Sequence, residues 1–193
     1  MHLPIRLVAQ TSAQPSILPL FEPRLSAAER YSNQNFYLAP CDVGLGVFAR
    51  RLIRRAEIIL RFEGPTISFA EAKARGPREC MTLQIGPDKY LDTLPPAVYV
   101  NHSCDPNTGI EDDRNLVALA DIEPDEEIRF DYSTTMEEKS FTMRCCCGAP
   151  SCRKVVNDFS TLPRHLQQFY LERDVVMSFI RAQWPARTLH PRP

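Results

Sequence analysis

The stretch Asn101-His102-Ser103-Cys104-Asp105-Pro106-Asn107 decides the reading of this chain. It sets an amide, an imidazole, a hydroxyl and a thiol in successive positions, then bends the backbone rigidly through Asp-Pro-Asn. Alone, His102 has the ordinary reading of a satisfied structural histidine. Two downstream stretches add to it. Glu126-Glu127-Ile128-Arg129-Phe130-Asp131-Tyr132 reads as a strand closing on two aromatic residues. Cys145-Cys146-Cys147-Gly148-Ala149-Pro150-Ser151-Cys152 then packs four of the seven cysteines into eight residues.

Composition bounds what these stretches belong to. The chain has 193 residues, 44% hydrophobic and 24% charged, ordinary globular values that exclude a disordered or collagen-like polymer. No run approaches the ~18 apolar residues of a membrane helix, so a soluble protein without membrane contact is expected. The opening MHLPIRLVAQ lacks a long apolar core and a small-residue cleavage site, which points to a cytoplasmic or nuclear, non-secreted protein. Twenty-three Lys and Arg against 24 Asp and Glu leave a formal charge of −1, so direct nucleic-acid binding is not expected. The run Arg50, Arg51, Arg54 and Arg55 reads as solvated surface. Glu111–Asp113 and Asp121–Glu127 read as exposed loops whose acidity would suit a basic, lysine-bearing peptide. Proline reaches 17 where ordinary usage gives roughly 10, and glycine only 7 where it gives roughly 14. Such a chain is built from many short segments joined by stiff bends.

The segments can be placed. Two capping boxes, Ser26/Glu29 and Ser68/Glu71, predict short helices, the second over Ser68–Arg75 and stopped at Gly76-Pro77. Strands are predicted at Phe36–Ala39, Val47–Ala49, Glu57–Phe62, Leu116–Ala120 and Glu127–Tyr132, with a sharp turn at Gly44 and Gly46. Met81–Ile85 and Lys89–Asp92 form a hairpin about Gly86-Pro87-Asp88. Beyond the cysteines the period becomes 3.6: Leu162, Leu166, Phe169 and Tyr170 share a face, as do Val176, Phe179 and Ile180, with Asp174 as the cap of that second piece. The result is a β-rich body at about 36–155 with helical ends.

Cys145-x-Cys147-x4-Cys152 has the spacing of a tetrahedral zinc half-site, and Gly148 permits the tight turn between ligands. Cys146, between two ligands, should point away. The fourth ligand must come from Cys41, Cys80, Cys104 or a histidine, and spacing does not choose among them. The plainer reading is a set of buried free thiols, or a disulfide that the odd cysteine number leaves incomplete.

Read in order, Gly44-Leu45-Gly46, NHSCDPN at 101–107, EEIRFDY at 126–132 and CCCGAPSC at 145–152 resemble the SET-domain family of protein lysine methyltransferases. The glycine pair is weak alone; three further motifs in the right order are specific. The resemblance covers roughly 40–155. It implies a mainly β fold with α, a β-clip of small curved sheets in which the strand ending at Tyr132 threads beneath the 101–107 loop as a pseudoknot. It divides the chain into an N-terminal extension (1–35), a SET domain (36–133), a post-SET zinc segment (134–156) and a C-terminal helical extension (157–193). The implied methyl donor is S-adenosylmethionine, held by Gly44, Leu45, Gly46, Asn101, His102 and Tyr132, with Val155 and Val156 covering its adenine. The implied fourth zinc ligand is Cys104, beside Cys145, Cys147 and Cys152, and the metal is structural. The catalytic residues implied are Tyr132 and Phe130; phenylalanine at 130, where the family has Phe or Tyr, implies room for more than one methyl. Val98 stands where many members have arginine and Met81 where many have tyrosine. The cysteine-rich segment that precedes the core in histone-specific members is not expected here, since only Cys41 lies upstream. The implied partner is a lysine-containing protein or peptide, a histone tail among the candidates; oligomeric state is open.

The chemistry can be argued separately. A free lysine has a pKa near 10.4, so the site must favour the uncharged amine, and a narrow aromatic channel does so by desolvation. Tyr132 could align that amine at the inner end and accept a weak C–H···O contact. Two rival readings remain: a catalytically silent SET-type binding or scaffold module, and a zinc-stabilised interaction domain that shares only motifs.

Overall fold

The computed structural model describes residues 26–184. Elements are short, as the proline content dictates. They run α1 (Ala27–Tyr31), β1 (Phe36–Cys41), β2 (Gly44–Ala49), β3 (Ile58–Arg61), β4 (Thr66–Ile67), α2 (Phe69–Lys73), β5 (Thr82–Gly86) and β6 (Lys89–Asp92). There follow β7 (Asn101–His102), β8 (Thr108–Glu111), β9 (Asn115–Ala118), β10 (Arg129–Phe130), β11 (Met143–Arg144), β12 (Val155–Val156), α3 (Arg164–Leu171) and α4 (Ser178–Arg181). Both capping boxes form: Ser26 and Glu29 cap α1, Ser68 and Glu71 cap α2. After α2 the chain does not simply stop at Gly76-Pro77 but continues as a tight 3-10 helix to Met81.

Four small sheets result, ordered β1-β2, β3-β9-β8-β10-β7, β4-β6-β5 and β11-β12. The β1-β2 hairpin turns at Asp42-Val43, and Gly44 and Gly46 belong to its second strand, not to the turn. In the five-stranded sheet, β10 lies parallel to both β7 and β8 and between them. Residues 103–107 join those two neighbours, so this loop arches over β10. That crossing is the threaded arrangement that the family resemblance implies.

The stretch predicted as a strand from Glu127 to Tyr132 serves two sheets in turn. Its first part runs beside β2, with Ala49 N–H donating to Glu126 O and Ile128 N–H to Val47 O. Only Arg129 and Phe130 then enter the five-stranded sheet. β4, β7 and β8 escaped prediction because two to four residues are too few to show a period.

One apolar core joins the first three of these sheets through Leu38, Val47, Ile53, Leu91, Ile110, Ile128 and Phe130. The C-terminal stretch belongs to it: Phe159, Tyr170, Met177 and Ile180 are buried in that same core. Leu162 and Val176 lie just outside the helices assigned to them, and Phe169 stays partly exposed beneath the Arg173 guanidinium, 3.6 Å from its ring centre. Asp174 does not cap α4. It pairs with Arg181, while Asp113, from the β8–β9 turn, accepts from the Ser178 backbone N–H at 2.6 Å and from its hydroxyl. Among the described residues, no helix is long and apolar enough to cross a membrane.

Candidate active site and thiol cluster

The crossing is built largely by one side chain. Asn107 donates through Nδ2 to Glu127 O at 2.8 Å and accepts at Oδ1 from Arg129 N–H at 2.9 Å, pairing with the edge of β10 as a strand would. Thr108 Oγ1 donates to Arg129 O at 2.8 Å, and Ser103 N–H donates to Phe130 O at 3.0 Å. The loop is thus stitched to β10 at both ends, which fixes where Phe130 and Tyr132 emerge.

Those two aromatics line one narrow cavity of about 60 Å³. Their ring centres lie 4.8 Å apart, and Phe62 meets Phe130 edge-on at 5.6 Å. Tyr90, Val100, Met136 and Phe141 complete its apolar wall, with Glu79, Thr93 and Glu138 as polar breaks. Tyr132 Oη donates to Val100 O at 2.9 Å, which leaves its lone pairs for the cavity it lines. Desolvation holds this phenol well above the ordinary tyrosine range, so it stays neutral.

His102 connects cavity and thiols. Its Nδ1 accepts from Tyr132 N–H at 3.2 Å, which places the ring proton on Nε2, 3.3 Å from Cys104 Sγ. Burial, opposed by Asp131, lowers its pKa to about 4, so the ring is neutral at physiological pH. Both nitrogens are engaged, so only its main chain is left to meet a ligand. Asn101 faces the other way: Nδ2 reaches Leu45 O at 3.1 Å, Glu127 Oε1 at 2.9 Å and Cys41 Sγ at 3.3 Å. A Cβ on Gly46 would stand 2.6 Å from that Glu127 oxygen, so a side chain there would displace the carboxylate from Asn101, whereas Gly44 has a φ of +120° and open space beside it. Glu127, read from sequence as exposed loop, is therefore part of this site.

The structure brings Cys104, Cys145 and Cys147 together, with their sulfurs and His102 Nε2 all within 4.8 Å of one another, a group able to hold a metal ion. Cys104 and Cys145 Sγ lie 3.7 Å apart, and two thiolates on one tetrahedral zinc at ~2.3 Å would be roughly 3.8 Å apart. Cys152, the remaining ligand the resemblance implies, is not in that group; its Sγ lies 4.0 Å from Cys145 O. Cys104 N–H points at Cys147 Sγ and Arg153 N–H at Cys104 Sγ, the donors an anionic sulfur needs. Burial opposes charge on Cys147, but backbone donors from Cys104 and Ala149 and the neighbouring thiols outweigh it and lower its pKa to about 6. Burial pushes the Cys104 and Cys145 thiols up. Gly148, at φ +75°, makes the turn, and Cys146 is exposed, turned out between its neighbours. The other candidates for fourth ligand lie elsewhere: Cys41 beside Asn101, Cys80 on the cavity wall, His165 on α3. His2 and His190 are outside the described residues.

Residues 44–133 match the family model described as SET domain. Over those residues the chain is similar to the SET-domain family. Similar proteins include histone-lysine N-methyltransferase trr of Drosophila melanogaster, 34% identical over 143 residues, covering 64% of this chain and 6% of that protein. Human histone-lysine N-methyltransferase 2D is 29% identical over 140 residues, covering 64% and 2%. The H3 lysine-4 specific enzyme of Schizosaccharomyces pombe is 30% identical over 130 residues, covering 58% and 14%. This chain thus spans only a small part of those relatives' length. Among solved structures, a humanized mutant of the Chaetomium thermophilum Polycomb Repressive Complex 2 matches 57% of this chain and 16% of that one, at 21% identity and a TM-score of 0.47.

Sequence reading of this site missed Asn107, Glu127 and Asp131. The Asp131 carboxylate is fully buried and accepts from Arg153 Nη2 at 2.6 Å, Ser133 N–H at 3.1 Å and Tyr170 Oη at 2.9 Å. The basic run sits on the surface as expected, Arg51 paired with Glu57 and Arg54 with Asp121.

Proposed function

We propose that this protein transfers methyl groups from S-adenosylmethionine to the side-chain amine of lysine in a protein substrate. The observation that carries this reading is the position of Tyr132. Its hydroxyl borders a narrow aromatic cavity, while its backbone N–H is bound to the histidine of the NHSC turn. When bound, the donor supplies a sulfonium methyl; a neutral amine takes it by in-line displacement as the carbon–sulfur bond breaks. The chain does the rest. Phe62, Phe130 and Tyr132 desolvate the lysine side chain, which favours loss of its proton before attack. The Tyr132 oxygen orients the amine, and proximity replaces a bimolecular encounter. Phe130 puts no hydroxyl in the cavity, which leaves room for an amine already methylated.

The donor fits between the 44–46 strand and the 101–102 turn. Gly44 offers open backbone there, Asn101 holds Leu45 O, and the main chain of His102 is adjacent. Val155 is apolar and half exposed, free to cover a flat ring, whereas Val156 is fully buried under the thiols and supports it from behind. Cys104, Cys145, Cys147 and Cys152 would hold one structural zinc with no open position for water. The Nε2–H of His102 is then a donor to the Cys104 thiolate and not a fifth ligand. The relatives' names support a histone or another lysine-bearing protein as substrate, and a nuclear place of action follows from the same reading.

The test is thermal stabilisation by S-adenosylhomocysteine, then labelled-methyl incorporation into histones and whole-cell extract. Transfer to lysine, lost by about a hundredfold or more in Tyr132→Phe with the melting temperature kept, is the expected result. Donor binding with no transfer to any lysine polypeptide would instead establish a silent scaffold.

A further inference from the structure

We propose that Tyr170, on helix α3 outside the matched residues 44–133, is a positioning residue for Tyr132, which makes the C-terminal helical segment a working part of the active site. This rests on Tyr132 acting as proposed above. Asp131 directly precedes Tyr132, and its side chain is closed off from solvent. A buried carboxylate demands donors on both oxygens. Oδ1 has two, Arg153 Nη2 and Ser133 N–H. Among the described residues Oδ2 has one hydrogen bond, from the Tyr170 hydroxyl at 2.9 Å. Three segments therefore meet on one side chain: the strand end, the arginine that follows the last cysteine of the cluster, and α3.

The geometry also says what happens when the hydroxyl is removed. Arg153 Nη1 is buried and, among the described residues, has no partner. A carboxylate that loses Tyr170 has this idle donor on the guanidinium it already touches, and a fork-to-fork pairing is the preferred Arg–carboxylate geometry. Turning Asp131 towards Arg153 pulls the backbone that sets Tyr132 N–H against His102 and Tyr132 Oη against Val100 O. A displacement of the order of 1 Å at a reacting group is enough to cost up to about a hundredfold in rate.

The experiment compares the full chain with Tyr170→Phe, which deletes one oxygen and keeps the ring in the core. We expect kcat to fall about tenfold, with S-adenosylhomocysteine affinity and peptide KM within about twofold. In protein carrying 13C-labelled tyrosine, the Tyr132 ring signals, assigned through Tyr132→Phe, should move. Leu166→Ala, which trims the same helix without touching Asp131, should lower the melting temperature and leave kcat unchanged well below it. Tyr170→His, whose ring N–H keeps a donor on that side, should retain more turnover than Tyr170→Phe at an equal or lower melting temperature. Unchanged kcat and unmoved Tyr132 signals in Tyr170→Phe would overturn the proposal, as would greater turnover in Phe than in His. Absence of methyl transfer by the unaltered protein would instead sink the functional reading, and the ring signals would still decide the placement of Tyr132.

Discussion

The two halves of the site are held by different physics. The crossing of β10 beneath the 103–107 loop is held by backbone and amide hydrogen bonds of 2.8–3.0 Å around residues buried in the main core. The thiol segment has two strands of two residues each and a small apolar cluster of its own, of which two of the four buried members are cysteines. The first half can fold on hydrophobic burial and internal hydrogen bonding. The second buries too little apolar surface to offset its ordering entropy and needs another source of stability. The proposed zinc would offer one at the converging thiols of Cys104, Cys145 and Cys147, since a structural zinc supplies on the order of 10 kcal/mol or more of apparent binding energy.

The largest expected effect follows from that contrast. Stripping the proposed zinc with a strong chelator, or Cys147→Ser, should free residues 143–156 while the five-stranded sheet remains. Hydrogen exchange should then show fast amides in that segment and protection kept at β8, β9 and β10. Methyl transfer should fall to background, because Tyr132 packs against the cluster that Cys104 and Val156 belong to. Metal analysis giving less than one zinc per active chain would remove the distinction between the two halves.

Asp131→Asn strikes where the halves join. Arg153 would be left largely buried and without its counter-charge, a loss usually costing about 3–5 kcal/mol. In a chain of this size that lowers the melting temperature by roughly 6–20 °C. Loss of both halves in a single cooperative transition is expected. A separate early melting of the thiol segment would show that Asp131 braces only one side.

The same division explains what could be read from sequence. Motifs whose partners are local were legible: each capping box uses residues three apart, and both form as read. The thiol spacing and the turn at Gly148 are local too. The crossing was anticipated only through the family resemblance that the motifs carry. What supports it was not legible, because Asn107 reaches partners 20 and 22 residues away and Asp131 meets Tyr170 39 residues on. In sequence Tyr170 looked like one more member of an apolar helix face. Glu127 looked like solvated acid, because nothing local announced that Asn101 and Gly46 would close around it.

A smaller effect probes the contact between the central sheet and the C-terminal stretch. A Cβ on Gly109 of β8 would stand 2.6 Å from Val175 Cβ and 2.8 Å from its Cγ1. Val175 is buried and branched close to its backbone, so it cannot swing aside. Gly109→Ala should cost about 1–3 kcal/mol by overpacking, read as a lower denaturant midpoint at an unchanged m-value. Val175→Ala should restore part of that loss in the double variant, since the two changes share one space. Strict additivity would place the strain elsewhere.

The smallest effect tests how α4 begins. A four-residue helix cannot sustain itself, and its first backbone N–H groups need outside partners. Asp113 supplies one from the β8–β9 turn, 65 residues earlier, by accepting from Ser178 N–H and its hydroxyl. The nearer acid, Asp174, is taken up by Arg181 instead. Asp113→Ala should therefore cost about 1 kcal/mol, the usual loss for a missing cap, and Asp174→Ala less, because that ion pair is exposed. Ile180 is fully buried directly behind this helix start, so amide exchange at Ile180 and Arg181 should quicken in Asp113→Ala alone. Equal quickening in both variants would mean that α4 is steadied by its own surface charges and not by the distant turn.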